Sequence, residues 1–132
     1  MNDLPYLDFP QIDSLASRSE AVQKPCSCVK TSLIGWASLS VSFPEEQMQR
    51  VGTLTHGNPD EATFADFLPN GRGYWSDDAP IAPRYFPYNR CDVWECTACR
   101  RIFLRYTEGG GYFVDQRIRA LTRSLLVDAA LP

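Results

Sequence analysis

The residues best suited to chemistry are five cysteines, spaced as two close pairs and a fifth residue: Cys26-Ser27-Cys28, Cys91, and Cys96-Thr97-Ala98-Cys99. A C-x-x-C turn directs two thiolates to one point while its backbone amides donate to the sulfurs. Zinc takes four such ligands as a tetrahedron at about 2.3 Å per sulfur, and a structural site leaves no position open. One pair cannot close that shell, so the spacing predicts one zinc ion held by Cys26, Cys28, Cys96 and Cys99. Cys91 lies an odd number of residues before Cys96, so on a regular strand it faces the other way. It is read as buried and unligated, with replacement of one thiol of the 26/28 pair as the alternative. Buried thiols that simply pack and a redox C-x-x-C are the competing readings. The redox reading needs a helix behind the motif, whereas Arg100-Arg101-Ile102-Phe103-Leu104 reads as a strand.

Other chemistry is sparse. His56 is the sole histidine, followed by Gly57-Asn58-Pro59, and reads as a surface loop residue. Nothing beside it completes a nucleophilic triad. No glycine-rich loop opens a helix after a strand, so phosphate-cradle motifs are missing. Glu45-Glu46 and Asp77-Asp78 read as solvated turns, and an all-thiolate shell argues against catalytic zinc. The expectation is therefore a protein that is not an enzyme and has no small-molecule substrate. Residues 72–90 are instead dense in the side chains that dominate protein interfaces. Tyr74, Trp75, Arg84 and Tyr85, with Arg72 nearby and the neighbouring Arg100 and Arg101, are the candidate partner-binding residues. The alternative occupant of the arginine and aromatic face over 100–106 is nucleic acid, by stacking and phosphate contact.

These side chains must be positioned by short elements. Residues 1–11 read as an extended arm, and Asp13 or Ser14 as the cap of a helix running to Val22. Ser32 to Phe43 alternates as a half-buried strand, Met48 to Thr55 as a weaker one, and residues 60–68 as a helical turn opened by Pro59. Prolines 69, 80, 83 and 87 make residues 69–88 a long ordered loop. Arg90–Glu95, Arg101–Thr107 and Tyr112–Asp115 read as strands, the last two joined by a turn at Gly109-Gly110-Gly111. Gln116 to Val127 carries apolar residues at helical spacing. The fold class expected is α+β in one domain, 1–132: a small antiparallel sheet with a zinc-ribbon-like hairpin, one or two short helices and long proline-rich loops.

Trp94-Glu95-Cys96-Thr97-Ala98-Cys99 resembles the W-x-C-x-x-C half of zinc-ribbon proteins. The resemblance covers a short part of the chain and implies a metal and a local hairpin, with no activity attached. Composition fits a folded domain: 132 residues, 44 % hydrophobic and 22 % charged. No apolar run reaches the roughly 18 residues of a membrane span, and Met1-Asn2-Asp3-Leu4-Pro5 lacks the basic start of a secretory leader. A cytoplasmic setting is expected, where paired cysteines bind metal more often than they form disulfides. The net charge of −3 divides into −5 over residues 1–89, +3 over 90–123 and −1 at Asp128. Acidity overall disfavours nucleic acid. The expected role is binding another protein, as an accessory, regulatory or toxin-immunity protein.

Overall fold

A computed structural model describes residues 4–58, 61–69, 71, 73–109 and 114–131. The expected turn at Gly110-Gly111, the strand start at Tyr112, the helix-opening Pro59 and the candidate Arg72 lie outside the described residues.

The first helix, α1, is Phe9–Glu20 and starts earlier than its apolar spacing indicates. Asp8 caps it: its Oδ1 accepts from the Gln11 amide at 3.0 Å, while Gln11 Oε1 accepts from the Asp8 amide at 2.9 Å. This reciprocal box satisfies two amides at once, and Pro10 sits in the first turn, where a missing N–H is harmless. The extended arm is therefore confined to residues 4–8, and Asp13 and Ser14 lie inside the helix. Ile12, Ala16 and Ser19 form its buried face. Ser19 Oγ accepts from the backbone amide of Ile102 at 2.9 Å, fixing the helix to the sheet.

The sheet is antiparallel with five strands: β1 (Ala37–Ser38), β2 (Met48–Thr53), β3 (Asp92–Cys96), β4 (Ile102–Gly109) and β5 (Val114–Ala120). Their spatial order is β1-β5-β4-β3-β2. The outer edge of β2 is partly covered by the N-terminal segment, through Leu7 N to Thr53 O at 3.1 Å and Thr53 N to Pro5 O at 3.0 Å. With one helix and this sheet, the α+β expectation holds.

Three expected elements differ. The strand over Ser32–Phe43 shrinks to Ala37–Ser38, because the serines beyond it bond locally. Ser42 N donates to Ser40 Oγ at 3.1 Å, and Phe43 N to Ser40 O at 3.1 Å. The helical turn expected over residues 60–68 does not extend past Glu61, whose amide donates to Asn58 O at 3.0 Å, and residues 62–69 are not helical. Their carbonyls are taken by side chains: Arg90 donates to Ala62 O at 3.0 Å and Thr63 O at 2.9 Å, and Asn89 to Thr63 O at 2.9 Å. The helix expected over Gln116–Val127 is β5 followed by a 3₁₀ turn at Arg123–Leu125. Ile118 and Leu121 have helical spacing but pack into different cores on opposite faces of the sheet. Arg119 between them is fully buried and donates to the carbonyls of Ile34, Asp77 and Ala79 and to the Tyr88 hydroxyl.

The larger core lies under α1 and includes Ile12, Trp36, Ile81, Tyr88, Val93 and Leu104. The smaller one, on the other face, is built from Cys28, Leu33, Cys96, Cys99, Phe103 and Ile118. Among the described residues no helix is long and apolar enough to cross a membrane.

Candidate metal centre

The smaller core contains the four cysteines of the two close pairs. Cys96 ends β3, and Cys99 follows in the turn to β4, where Arg100 N donates to Cys96 O at 2.7 Å and Cys96 N to Arg101 O at 2.9 Å. Closing this tight turn places Arg100 at φ 76°, the left-handed region. Cys26 and Cys28 flank the start of a 3₁₀ turn, Ser27–Val29, with Val29 N donating to Cys26 O at 3.2 Å. The two turns meet: Cys26 Sγ lies 3.7 Å from Cys96 Sγ, and Cys28 Sγ lies 3.5 Å from Cys99 Sγ. All four sulfurs lie within 4.8 Å of one another, and they form a group that could hold a metal ion.

These separations exclude a disulfide and fit a metal-binding group. A disulfide needs sulfurs at about 2.05 Å, and all five cysteines are free. Sulfurs on a tetrahedron of radius about 2.3 Å sit roughly 3.8 Å apart, close to both observed contacts. Cys28, Cys96 and Cys99 are buried and Cys26 is partly exposed, so the four thiols leave little room for a substrate.

The electrostatics suit protons giving way to a cation. Burial pushes the Cys28 thiol far up, reinforced by its contacts to Cys99 and Cys26. Burial also raises Cys96, against the backbone amides of Cys99 and Ala98, which lower it. Cys26 goes the other way, down to about 7, chiefly through a hydrogen bond from the Cys28 backbone. Without metal the raised Cys28 and Cys96 thiols keep their protons; a divalent cation displaces them, because only thiolates bind it. The Gln47 side chain faces this group, with Oε1 3.7 Å from Cys26 Sγ and 3.5 Å from Cys96 Sγ. Its backbone carbonyl also takes the Thr97 amide at 2.7 Å. Sequence spacing gives no signal for Gln47, whose role depends on the 3₁₀ turn at Glu45–Gln47.

Cys91 lies outside the group. It packs in the larger core, and its Sγ donates to Pro87 O at 3.4 Å. His56 is exposed and stacks on Tyr6 at 4.8 Å between ring centroids.

The six candidate partner residues differ in availability. Tyr85 is 8 % exposed, and its hydroxyl donates to Ala130 O at 2.7 Å. Tyr74 is half-buried, and its hydroxyl reaches Glu108 at 3.4 Å. Arg84 pairs with Asp128 at 2.5 Å. Arg100 joins Arg18 in clamping Glu95, at 3.2 and 2.7 Å. Arg101 donates to Lys24 O at 3.0 Å and Val22 O at 3.4 Å. Trp75 alone of the three rings is exposed, at 41 %, with the Arg117 guanidinium 4.2 Å from its centroid. Phe103 and Tyr106 are 0 % and 5 % exposed, which withdraws them as stacking platforms for a nucleic acid.

No protein-family model matches the chain, and no curated protein or solved structure matches it.

Proposed function

We propose that Cys26, Cys28, Cys96 and Cys99 hold one structural Zn²⁺ in a zinc-ribbon-like arrangement. In this reading the protein is not an enzyme; it binds another protein in the cytoplasm, in an accessory, regulatory or toxin-immunity role. The observation that carries the metal is the closed sulfur group itself, with contacts of 3.5 and 3.7 Å drawn from chain segments about 70 positions apart. An all-thiolate, tetrahedral set selects zinc among the common divalent ions. It keeps no fourth position for water or substrate, which supports a structural ion over a catalytic one.

The partner surface is narrowed to the ring of Trp75 with Arg117 and Tyr74 beside it. Arg117 is itself held by Asp115 at 2.7 Å and supports the Trp75 ring, so the exposed indole provides the contact area. Tyr85 belongs to the core, and Arg84, Arg100 and Arg101 serve the protein's own acids and carbonyls. A pull-down from lysate with and without nuclease treatment tests this, with wild type beside Trp75→Ala. One protein retained by wild type and lost by the variant supports the assignment. Equal retention by both removes Trp75 from the interface. A signal abolished by nuclease favours the nucleic-acid alternative.

A further inference from the structure

The face of the sheet that carries the cysteine group has a second, polar end. By strand register Arg50 lies opposite Trp94, Asp92 opposite Arg105, and Thr107 opposite Gln116. Together with Arg90 they border a cavity of about 360 Å³. The metal centre and the Trp75 patch contribute no residue to it.

The charges around this cavity are unequal. Arg50 pairs with Asp92 at 3.3 Å. Arg105 receives Glu45 as a two-pronged partner, at 2.6 and 3.0 Å. The Arg90 guanidinium donates to the carbonyls of Ala62 and Thr63 and to Asn89 Oδ1; among the described residues it faces no carboxylate. Among the described residues, three guanidinium groups thus stand against two acids. Arg105 is only 7 % exposed, and its buried Nε has no hydrogen-bond partner among the described residues. A buried donor without an acceptor is unfavourable, and guanidinium donors are best satisfied by oxyanions. Gln116 Nε2 donates to Thr107 Oγ1 at 3.0 Å, which leaves the threonine O–H free to donate into the same space.

We propose that this cavity binds a phosphoryl oxyanion, either free phosphate or the phosphate of a small organic molecule. Its polar lining comes from three elements: Arg50 on β2, Arg105 and Thr107 on β4, and Arg90 in the turn before β3. That suits a tetrahedral anion with three or four oxygens better than a planar carboxylate, which one arginine fork satisfies. Glu45, 53 % exposed on its turn, holds the Arg105 fork and has to release it for the anion to bind there. The volume holds a phosphate with an organic body attached. A nucleic-acid strand fits poorly, since the Arg105 guanidinium already lies 4.2 Å from the Trp94 ring centroid.

The test is titration of the full chain at low ionic strength with inorganic phosphate, adenosine monophosphate, succinate and a short oligothymidylate. Calorimetry and the Arg105 Nε–H resonance are the readouts. Saturable binding at a dissociation constant of about 1 mM or tighter is expected for phosphate, for adenosine monophosphate, or for both. Binding of both equally assigns a simple anion site, and preference for the nucleotide assigns an organic phosphate. Arg90→Gln should weaken binding by about tenfold, through loss of a charged donor. Glu45→Gln changes an exposed residue and frees the Arg105 fork, so it should bind several-fold tighter. Absence of saturable phosphate or nucleotide binding in both wild type and Glu45→Gln overturns the proposal. Succinate binding as tightly as phosphate, or binding of the oligonucleotide alone, overturns it equally.

Discussion

At the scale of single residues, the metal centre rests on a turn that asks Arg100 for a conformation L-residues disfavour. Its φ of 76° carries a penalty of about 1–2 kcal/mol in any residue but glycine. Its ion pair with Glu95 at 3.2 Å joins an exposed guanidinium to a buried carboxylate, and losing it costs little because Arg18 still holds Glu95 at 2.7 Å. Arg100→Gly should therefore leave metal binding intact and raise the melting temperature by a few degrees, as followed by circular dichroism; a lower melting temperature would show that the Glu95 clamp outweighs the strain. The cysteines divide just as sharply. Cys96→Ser should lose the metal and the cooperative melt together, while Cys91→Ala should keep full metal and lose only the packing of one buried sulfur. Metal content of both variants by mass spectrometry checks this, and equal loss from both would place Cys91 in the shell. The four-cysteine group was legible because thiols that are close in sequence point to a shared ion. Gln47 and the fork of Arg105 were not, since each depends on a turn at Glu45–Gln47 that no spacing announces.

At the scale of elements, β3 and β4 were readable from short runs of apolar and aromatic residues bracketing the Cys96–Cys99 turn. β5 was misread because it carries a buried arginine at position 119, and its neighbours Ile118 and Leu121 serve two different cores. Local sequence could not reveal that Arg119 satisfies carbonyls at Ile34, Asp77 and Ala79, contacts 40 and more positions away. The start of α1 was missed for a simpler reason: the capping pair Asp8 and Gln11 precedes the apolar stripe that marks the helix body. The same N-terminal segment makes a testable contact with β2. A Cβ built on Gly52 would stand 2.6 Å from the Cδ1 and Cγ of Leu7, which is buried. Gly52→Ala should destabilise the fold by about 1–3 kcal/mol through overpacking. Pairing it with Leu7→Ala, which removes the obstructing branch, should make the two effects less than additive in a double-mutant cycle read by urea denaturation. Full additivity would mean that Leu7 and Gly52 do not touch.

At the scale of the whole molecule, the cysteine group joins the segment after α1 to the β3–β4 turn, beside the bonds from Arg101 to Lys24 O and Val22 O. One pair follows α1 and the other forms the β3–β4 turn, with Cys26 and Cys96 70 positions apart. The smaller core is made largely of the thiols themselves, with Leu33, Phe103 and Ile118. Binding energy from a metal that holds only the folded arrangement adds directly to folding stability. Without it, Cys28 and Cys96 are left as buried thiols whose pKa burial raises. The most direct test is elemental analysis of the purified full chain together with thermal unfolding before and after a strong chelator. The account predicts about one equivalent of zinc per chain, lost on chelation together with the cooperative transition, and both restored by added Zn²⁺. Well under half an equivalent of any metal, with an unfolding transition indifferent to chelator or a disulfide within either cysteine pair, would contradict it.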